Sequence, residues 1–319
     1  TGQSGGPAHL KVPPTMTQQN ATTEHWAAWQ QRRLDNPHRW TEWSEHPYLR
    51  ALLQQRLFGG HAISPFDHIH THFPAFAHAH AISLCCGDGS TERTLVEQGA
   101  FRSMLGIDMT AERVNAARAA RGALAERLDY RVGNVNQGDY GTACCDVVFA
   151  KAALHHVEQL EAMVAGIFRC LRPDGYLVTL DFFGPTRFQW TDAQLAYAND
   201  FLTREVPEPL RQRADSGRLY EVTRPAVADM IAMDPSEAVR SGELHAFLQE
   251  HFNLVMDVPI GGTLLHLIFD PSIINNFNPD DTSHQAIIER AVALDQRLVA
   301  TGVLNSDFRL IVARPRTTA

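Results

Sequence analysis

The stretch AISLCCGDGSTERTLVEQGAFRSMLGIDMTA, residues 81–111, decides the fold. An apolar run (81–86) meets a tight Gly-x-Gly turn (87–89), a segment of helical period (90–98), and a second apolar run (103–108) that ends on an acid. That order predicts strand, turn, helix and strand, one β-α-β unit. Glycines in the turn open the backbone to a ligand at a helix N-terminus. Asp108, at the tip of the second strand, can accept both hydroxyls of a ribose. The unit predicts a nucleotide pocket.

Working outward, 110–125 is an alanine-rich helix and 128–132 a third strand, followed by Gly133-Asn134-Val135-Asn136. A fourth strand at 145–150 runs into Lys151-Ala152-Ala153-Leu154-His155-His156, then a helix at 157–171. The turn Arg172-Pro173-Asp174-Gly175 precedes a fifth strand at 176–180, ending at Asp181. Residues 183–247 read as a largely helical insertion, 252–258 as a strand, 272–301 as a helical excursion and 308–313 as a last strand. Strands alternating with helices of this length predict an α/β fold, a doubly wound, mostly parallel seven-stranded sheet with helices on both faces. Helical insertions lie near the C-terminus. The segment carrying Trp26, Trp29, Trp40, Trp43, Tyr48, Leu52 and Leu57 predicts an N-terminal helical cap, either over the site or against the sheet edge. The boundaries expected are a flexible tail (1–20), the cap (21–75), a cofactor-binding core (76–183), a helical lid or substrate insertion (184–251) and the closing strands with their helical insertion (252–319).

The 319 residues carry a net charge of −8, which argues against a partner bound through its phosphate backbone. No apolar run approaches the roughly 20 residues of a membrane span, and no signal peptide is visible. Cys85, Cys86, Cys144, Cys145 and Cys170 lack zinc or redox spacing, so buried thiols in the reducing cytoplasm are expected. His61, His68, His70, His72, His78 and His80 crowd one stretch. On an extended segment residues 68, 70 and 72 would share a face, but no carboxylate completes a metal site, and none is expected.

A glycine turn with an acid about 20 residues on suits a dinucleotide or S-adenosylmethionine. The dinucleotide fingerprint wants a small residue where this chain has Glu92, and a carboxylate at that helix start would repel a pyrophosphate. S-adenosylmethionine brings a sulfonium, an ammonium and no phosphate, so Asp88 and Glu92 are tolerable neighbours. Charge favours it.

At this point the chain resembles the class I S-adenosylmethionine-dependent methyltransferases, in particular a bacterial branch acting on small molecules or glycans. The first motif of that family, apolar-acid-apolar-Gly-x-Gly-x-Gly, falls on Ile82-Ser83-Leu84-Cys85-Cys86-Gly87-Asp88-Gly89, with Ser83 in place of the acid and Cys85 in place of the first glycine. The resemblance implies the Rossmann-like methyltransferase fold and S-adenosyl-L-methionine as cofactor, leaving as S-adenosyl-L-homocysteine. It places the ribose acid on Asp108 with Met109 beside the adenine, and the adenine edge on Asn134, Val135 and Asn136. The loop after the fourth strand falls on Lys151 to His156. Three later stretches, 184–190, 234–241 and 261–266, also match.

Methyl transfer from a sulfonium is an in-line displacement, so the protein has to align the acceptor and exclude water. If the acceptor is an alcohol, a base must take its proton; His155 or His156, at the carboxyl edge of the sheet, is the expected base. Arg187, Gln189 and Trp190 follow the fifth strand and are expected in the acceptor pocket, with Arg240 and His266 as further candidates. Asp234 and Arg240 otherwise read as a capping and ion-pair set around a Pro-initiated helix. The expected activity is O-methylation of a sugar-containing or natural-product hydroxyl by a chain that can form homo-oligomers. N- or C-methylation, a nicotinamide-dependent oxidoreductase and a non-catalytic partner of the same fold are the alternatives.

Overall fold

A computed structural model of the chain describes residues 16–35, 39–59, 64–213 and 217–316. It begins with helices α1 (Met16–Asp35), α2 (Pro47–Phe58) and α3 (Pro65–His72). The alternating part follows: β1 (His80–Leu84), α4 (Ser90–Glu97), β2 (Ser103–Asp108), α5 (Ala111–Ala120), β3 (Leu128–Val132), β4 (Cys145–Lys151), α6 (Leu160–Cys170) and β5 (Leu171–Phe182). Then come α7 (Asp192–Glu205), α8 (Val227–Met233), α9 (Ser241–His251), β6 (Phe252–Gly261), α10 (Leu265–Ile268), α11 (Thr282–Ala300) and β7 (Phe308–Pro315).

The seven strands form one sheet in the order β3-β2-β1-β4-β5-β7-β6. Strands β1 to β5 pair in parallel, and β7 runs antiparallel between β5 and β6. This is the doubly wound, mostly parallel sheet expected from the sequence. Strand order reverses between β1 and β4, which opens a crevice at their carboxyl ends.

Side-chain alternation along β1 distributes the core. Ile82 and Leu84 enter the apolar layer built with Leu160, Met163 and Ile167 of α6, whereas Ala81 enters the layer of Leu95 and Val96 on α4. Ser83 shares the face of Ala81. A third apolar core lies above the sheet, where Trp43, Leu49 and Leu53 meet Phe201 and Leu202 of α7, α10, and Ile288 and Val292 of α11. The His46 ring bonds to the Phe277 carbonyl (2.9 Å), and Asn275 exchanges two hydrogen bonds with the backbone of Trp40. Segments from the two ends of the chain thus share one roof.

The Arg172–Gly175 turn is a bulge inside β5. Cys145 pairs with Leu171 but Val147 already pairs with Tyr176, so four residues loop out, with Asp174 at φ 66°. The histidine stretch is helical rather than extended, a correction to the reading of 68, 70 and 72 on one face. Ser64 caps the helix by accepting the Asp67 amide (3.1 Å) and Pro65 occupies its first position, a start signal that outranks the alternation. His68 and His72 stack one turn apart (4.3 Å), while His61 lies outside the described residues. Among the described residues no helix is long and apolar enough to cross a membrane.

Candidate functional site

A cleft of about 1190 Å³ opens at the carboxyl ends of β1, β2, β4 and β5. Its first wall is the turn after β1. The Gly87 amide donates to Asp108 Oδ2 and the Thr110 amide to Asp108 Oδ1, both at 2.9 Å, so the acid at the tip of β2 ties its own turn to that of β1. Cys85 holds φ 52°, the left-handed region for which the family pattern keeps a glycine. The other glycines make room for protein groups rather than for a ligand. A Cβ at Gly89 would lie 2.3 Å from the Tyr130 hydroxyl, and one at Gly87 equally close to the Arg113 guanidinium. The Tyr130 hydroxyl donates to the Gly89 carbonyl (3.0 Å) and fixes the turn.

Cys85, Cys86, Gly87, Asp88, Asp108, Met109, Asn134, Val135, Asn136 and Lys151 all line this cleft. Gly89 and Ser83 do not. Ser83 donates to Glu92 Oε1 (2.6 Å) behind β1, because alternation turns it toward α4; this corrects its expected place beside the cofactor. Glu92 is buried there as well, 2% exposed, and burial pushes its carboxyl up to about 7. Glu92 therefore does not face a ligand. The carboxylate at the start of α4 is Asp88, whose Oδ1 accepts the Ser90 amide (3.1 Å) and occupies a position a pyrophosphate would need. Asn134 accepts the Asn136 amide, and Asn136 Oδ1 accepts the amides of Glu158 and Gln159 at 2.9 Å, which fixes the loop after β3.

The floor of the cleft is polar. Asp181, at the end of β5, is buried and accepts the amides of Ala153 (2.9 Å), Leu154 (2.7 Å) and Phe182 (2.9 Å). Its Oδ1 also takes the His155 Nδ1 proton at 2.6 Å. His155 Nε2 looks toward Glu237 Oε1, 3.7 Å away. Burial opposes a charge on His155, but Asp181 and then Glu237 outweigh it and lift its pKa to about 9. The two carboxylates favour the charged ring in this arrangement. His156 is held below its ordinary value by burial and by the His155 charge. Its Nδ1 meets Ser236 Oγ (3.2 Å), which itself donates to Asp234 Oδ1 (2.8 Å).

The remaining wall is aromatic. Trp26 and Trp29 of α1 reach in; Trp26 sets its edge against His156 (5.1 Å), and the Arg113 guanidinium lies 5.0 Å over Trp26 and 5.6 Å over Trp29. Phe188 stacks on Trp190 (4.9 Å), and the His266 ring sits 4.7 Å from Trp190. Burial lowers His266 to about 3, so it is neutral. Arg187 lines the cleft, but its guanidinium donates to the carbonyls of Pro235 (2.7 Å) and Glu237 (2.8 Å) and holds that loop. Gln189 bonds the Arg187 and Pro225 carbonyls and is off the wall. Arg240 is also away from it, in a two-pronged pair with Glu161 (2.8 and 2.9 Å) and bonded to Glu243. It does not pair with Asp234, and residues 235–240 are turn rather than helix, which corrects the capping reading. Arg187, Phe188, Cys85 and Ala152, four non-glycine residues with positive φ, all line the cleft; backbone strain gathers there.

Residues 82–179 match the model of a methyltransferase domain. The match is a likeness of this segment, less than a third of the chain. It begins within β1 and ends within β5, and supplies Cys85, Asp108, Asn134 and the histidine pair. An uncharacterized methyltransferase of Synechocystis sp. is 26% identical over 109 residues, 34% of this chain and 49% of that protein, so the chain spans about half the length of the curated relative it matches. An S-adenosylmethionine dependent methyltransferase from Mesorhizobium loti aligns over 77% of this chain and 95% of its own, at 18% identity and a TM-score of 0.46. A chain of the Haloferax volcanii complex between the Trm112 methyltransferase activator and the putative methyltransferase aligns over 93% and 99%, at 15% and 0.48. Trp26, Trp29, Phe188, Glu237 and His266 lie outside the matched methyltransferase domain. Sequence reasoning missed Asp181 and Glu237 as site residues; an acid closing the strand after the Leu-His-His loop was the available signal for the first.

Proposed function

We propose that the chain is an S-adenosylmethionine-dependent methyltransferase acting on the hydroxyl of a small, partly flat acceptor such as a sugar-bearing natural product. What carries the reading is one continuous cleft in which the methyltransferase-domain wall around Asp108 faces a wall of Trp26, Trp29, Phe188 and Trp190. The donor-side residues fit this cofactor: Asp108 keeps lone pairs for ribose hydroxyls beyond its two amide bonds, and Asp88 favours a cation over a phosphate. When bound, S-adenosylmethionine supplies an electrophilic methyl carbon on a sulfonium, and the carbon–sulfur pair returns to sulfur as S-adenosylhomocysteine leaves. The acceptor oxygen forms the new bond with its lone pair and gives up its proton to the neutral ring of His156. Aromatic faces orient the acceptor and, with α1 across the opening, exclude water. His155, His156 and Glu237 form the polar floor at which a hydroxyl is activated. Five cysteines without disulfide spacing suit the reducing cytoplasm as its setting.

Native mass spectrometry and calorimetric titration with S-adenosylhomocysteine test the donor half. A methyl-transfer screen over hydroxylated natural products and glycosides tests the acceptor half. Binding of NAD with no binding of either S-adenosyl ligand would overturn the reading.

A further inference from the structure

We propose that His155, His156 and Glu237 hold one divalent first-row transition-metal ion on the floor of the cleft. One ligand atom from each of the three lies within 4.8 Å of the others, and all three residues face the cleft. His155 Nε2 and Glu237 Oε1, 3.7 Å apart, are too far for a hydrogen bond and close to the spacing of two ligands around one ion.

Hydrogen bonding behind the rings leaves the same nitrogen of each available. Asp181 can only accept, so His155 Nδ1 is its donor and Nε2 is the nitrogen on the cleft side. The Ser236 hydroxyl spends its one proton on Asp234, so toward His156 it accepts, and His156 Nδ1 donates. His156 Nε2 therefore carries a lone pair. Metal-ligating imidazoles have this arrangement, with the far N–H given to a carboxylate directly or through one relay. Two imidazoles and one carboxylate suit zinc, iron, cobalt or manganese better than magnesium or calcium. Charge agrees: Asp181, Glu237 and Asp234 surround two imidazoles, and Asp234 Oδ2 is buried without a hydrogen-bond partner.

What the ion does rests on the methyltransferase reading. Three protein ligands would leave positions open, and the ion would take over from a histidine base by making a hydroxyl bound there acidic enough to give its proton to solvent at the cleft mouth before the cleft closes on it.

The test is calorimetric titration of the metal-free full chain with Zn²⁺ and with Co²⁺, the latter also followed by its visible spectrum. One ion per chain is expected. Glu237→Gln and His156→Ala each weaken binding at least tenfold, and Ser236→Ala weakens it severalfold, with melting curves confirming that each variant folds. His68 and His72, one turn apart on α3, can also chelate a metal, so the double variant His68→Ala/His72→Ala is titrated alongside and keeps the high-affinity ion. The proposal fails if neither ion binds, or if binding disappears in that double variant while surviving Glu237→Gln. S-adenosylhomocysteine affinity, measured on the same samples, is independent of the ion. Its absence would remove the methyltransferase reading and leave the metal result standing.

Discussion

Two carboxylates close the same sheet edge, and they are used differently. Asp108 ends β2 and accepts two amides, one from the turn after β1 and one from its own turn. Asp181, near the end of β5, accepts four amides, three of them from the turn after β4. Each acid staples a neighbouring loop to the strand that bears it. Asp108 then faces the cleft with no cation bonded to it among the described residues, whereas Asp181 is covered by His155. One end of that edge presents a carboxylate; the other end uses a carboxylate to present an imidazole. A parallel sheet with open strand ends lets a single local device serve two different polar surfaces.

The comparison can be broken first by stability. Asp181→Ala leaves four buried amides and the His155 ring without their acceptor and is expected to cost about 3–5 kcal/mol in urea unfolding, against about 1–2 kcal/mol for Asp108→Ala. Equal losses would show that the two acids are structural equivalents. The second effect is pH-dependent and belongs to the carboxyls buried behind the walls. Burial pushes Glu92 up to about 7 and Asp295 to about 6. Both bind their proton more tightly when folded, so the stability they contribute is complete below the unfolded carboxyl range and is lost as pH rises through 6 to 7. Urea midpoints should therefore fall between pH 4.5 and 7, and Glu92→Gln should remove about 3 kcal/mol of that slope. A flat profile in the parent chain refutes this.

Third, Asp108→Ala should weaken S-adenosylhomocysteine binding at least tenfold, about 1.4 kcal/mol. In the same calorimetry Asp181→Asn should shift it by no more than about twofold, under 0.5 kcal/mol. Comparable losses would mean that both edges hold the donor. The smallest effect is Tyr130→Phe, which deletes the hydroxyl bond to the Gly89 carbonyl and should cost about 1 kcal/mol in thermal or urea unfolding without changing cofactor stoichiometry.

The donor edge was legible because its parts are consecutive. Strand, turn, helix and acid occupy residues 81–108, and period-2 and helical spacing place them. Ser83 and Glu92 were misplaced by the same reading, since motif position alone does not say which face of β1 or of α4 a side chain takes. The acceptor edge draws on Trp26, His155, Phe188, Glu237 and His266, which no local pattern links. Asp234-Pro-Ser-Glu looked like a helix start, yet its Ser236 and Glu237 turn to the histidines because Arg187, about fifty residues away in sequence, clamps the Pro235 and Glu237 carbonyls. Arg240 was read as available, although Glu161 and Glu243 satisfy it.

The shared roof carries a consequence for how the chain is made. Trp40 and Asn275, 235 residues apart, bond to each other, and residues from 43 to 304 contribute to the same apolar core. Contacts of the β1–β5 half span far shorter separations, so that half can condense while the ribosome is still adding the rest. The roof has to wait for α11 to emerge. During synthesis the wall around Asp108 would exist before the aromatic face of the N-terminal helices is roofed.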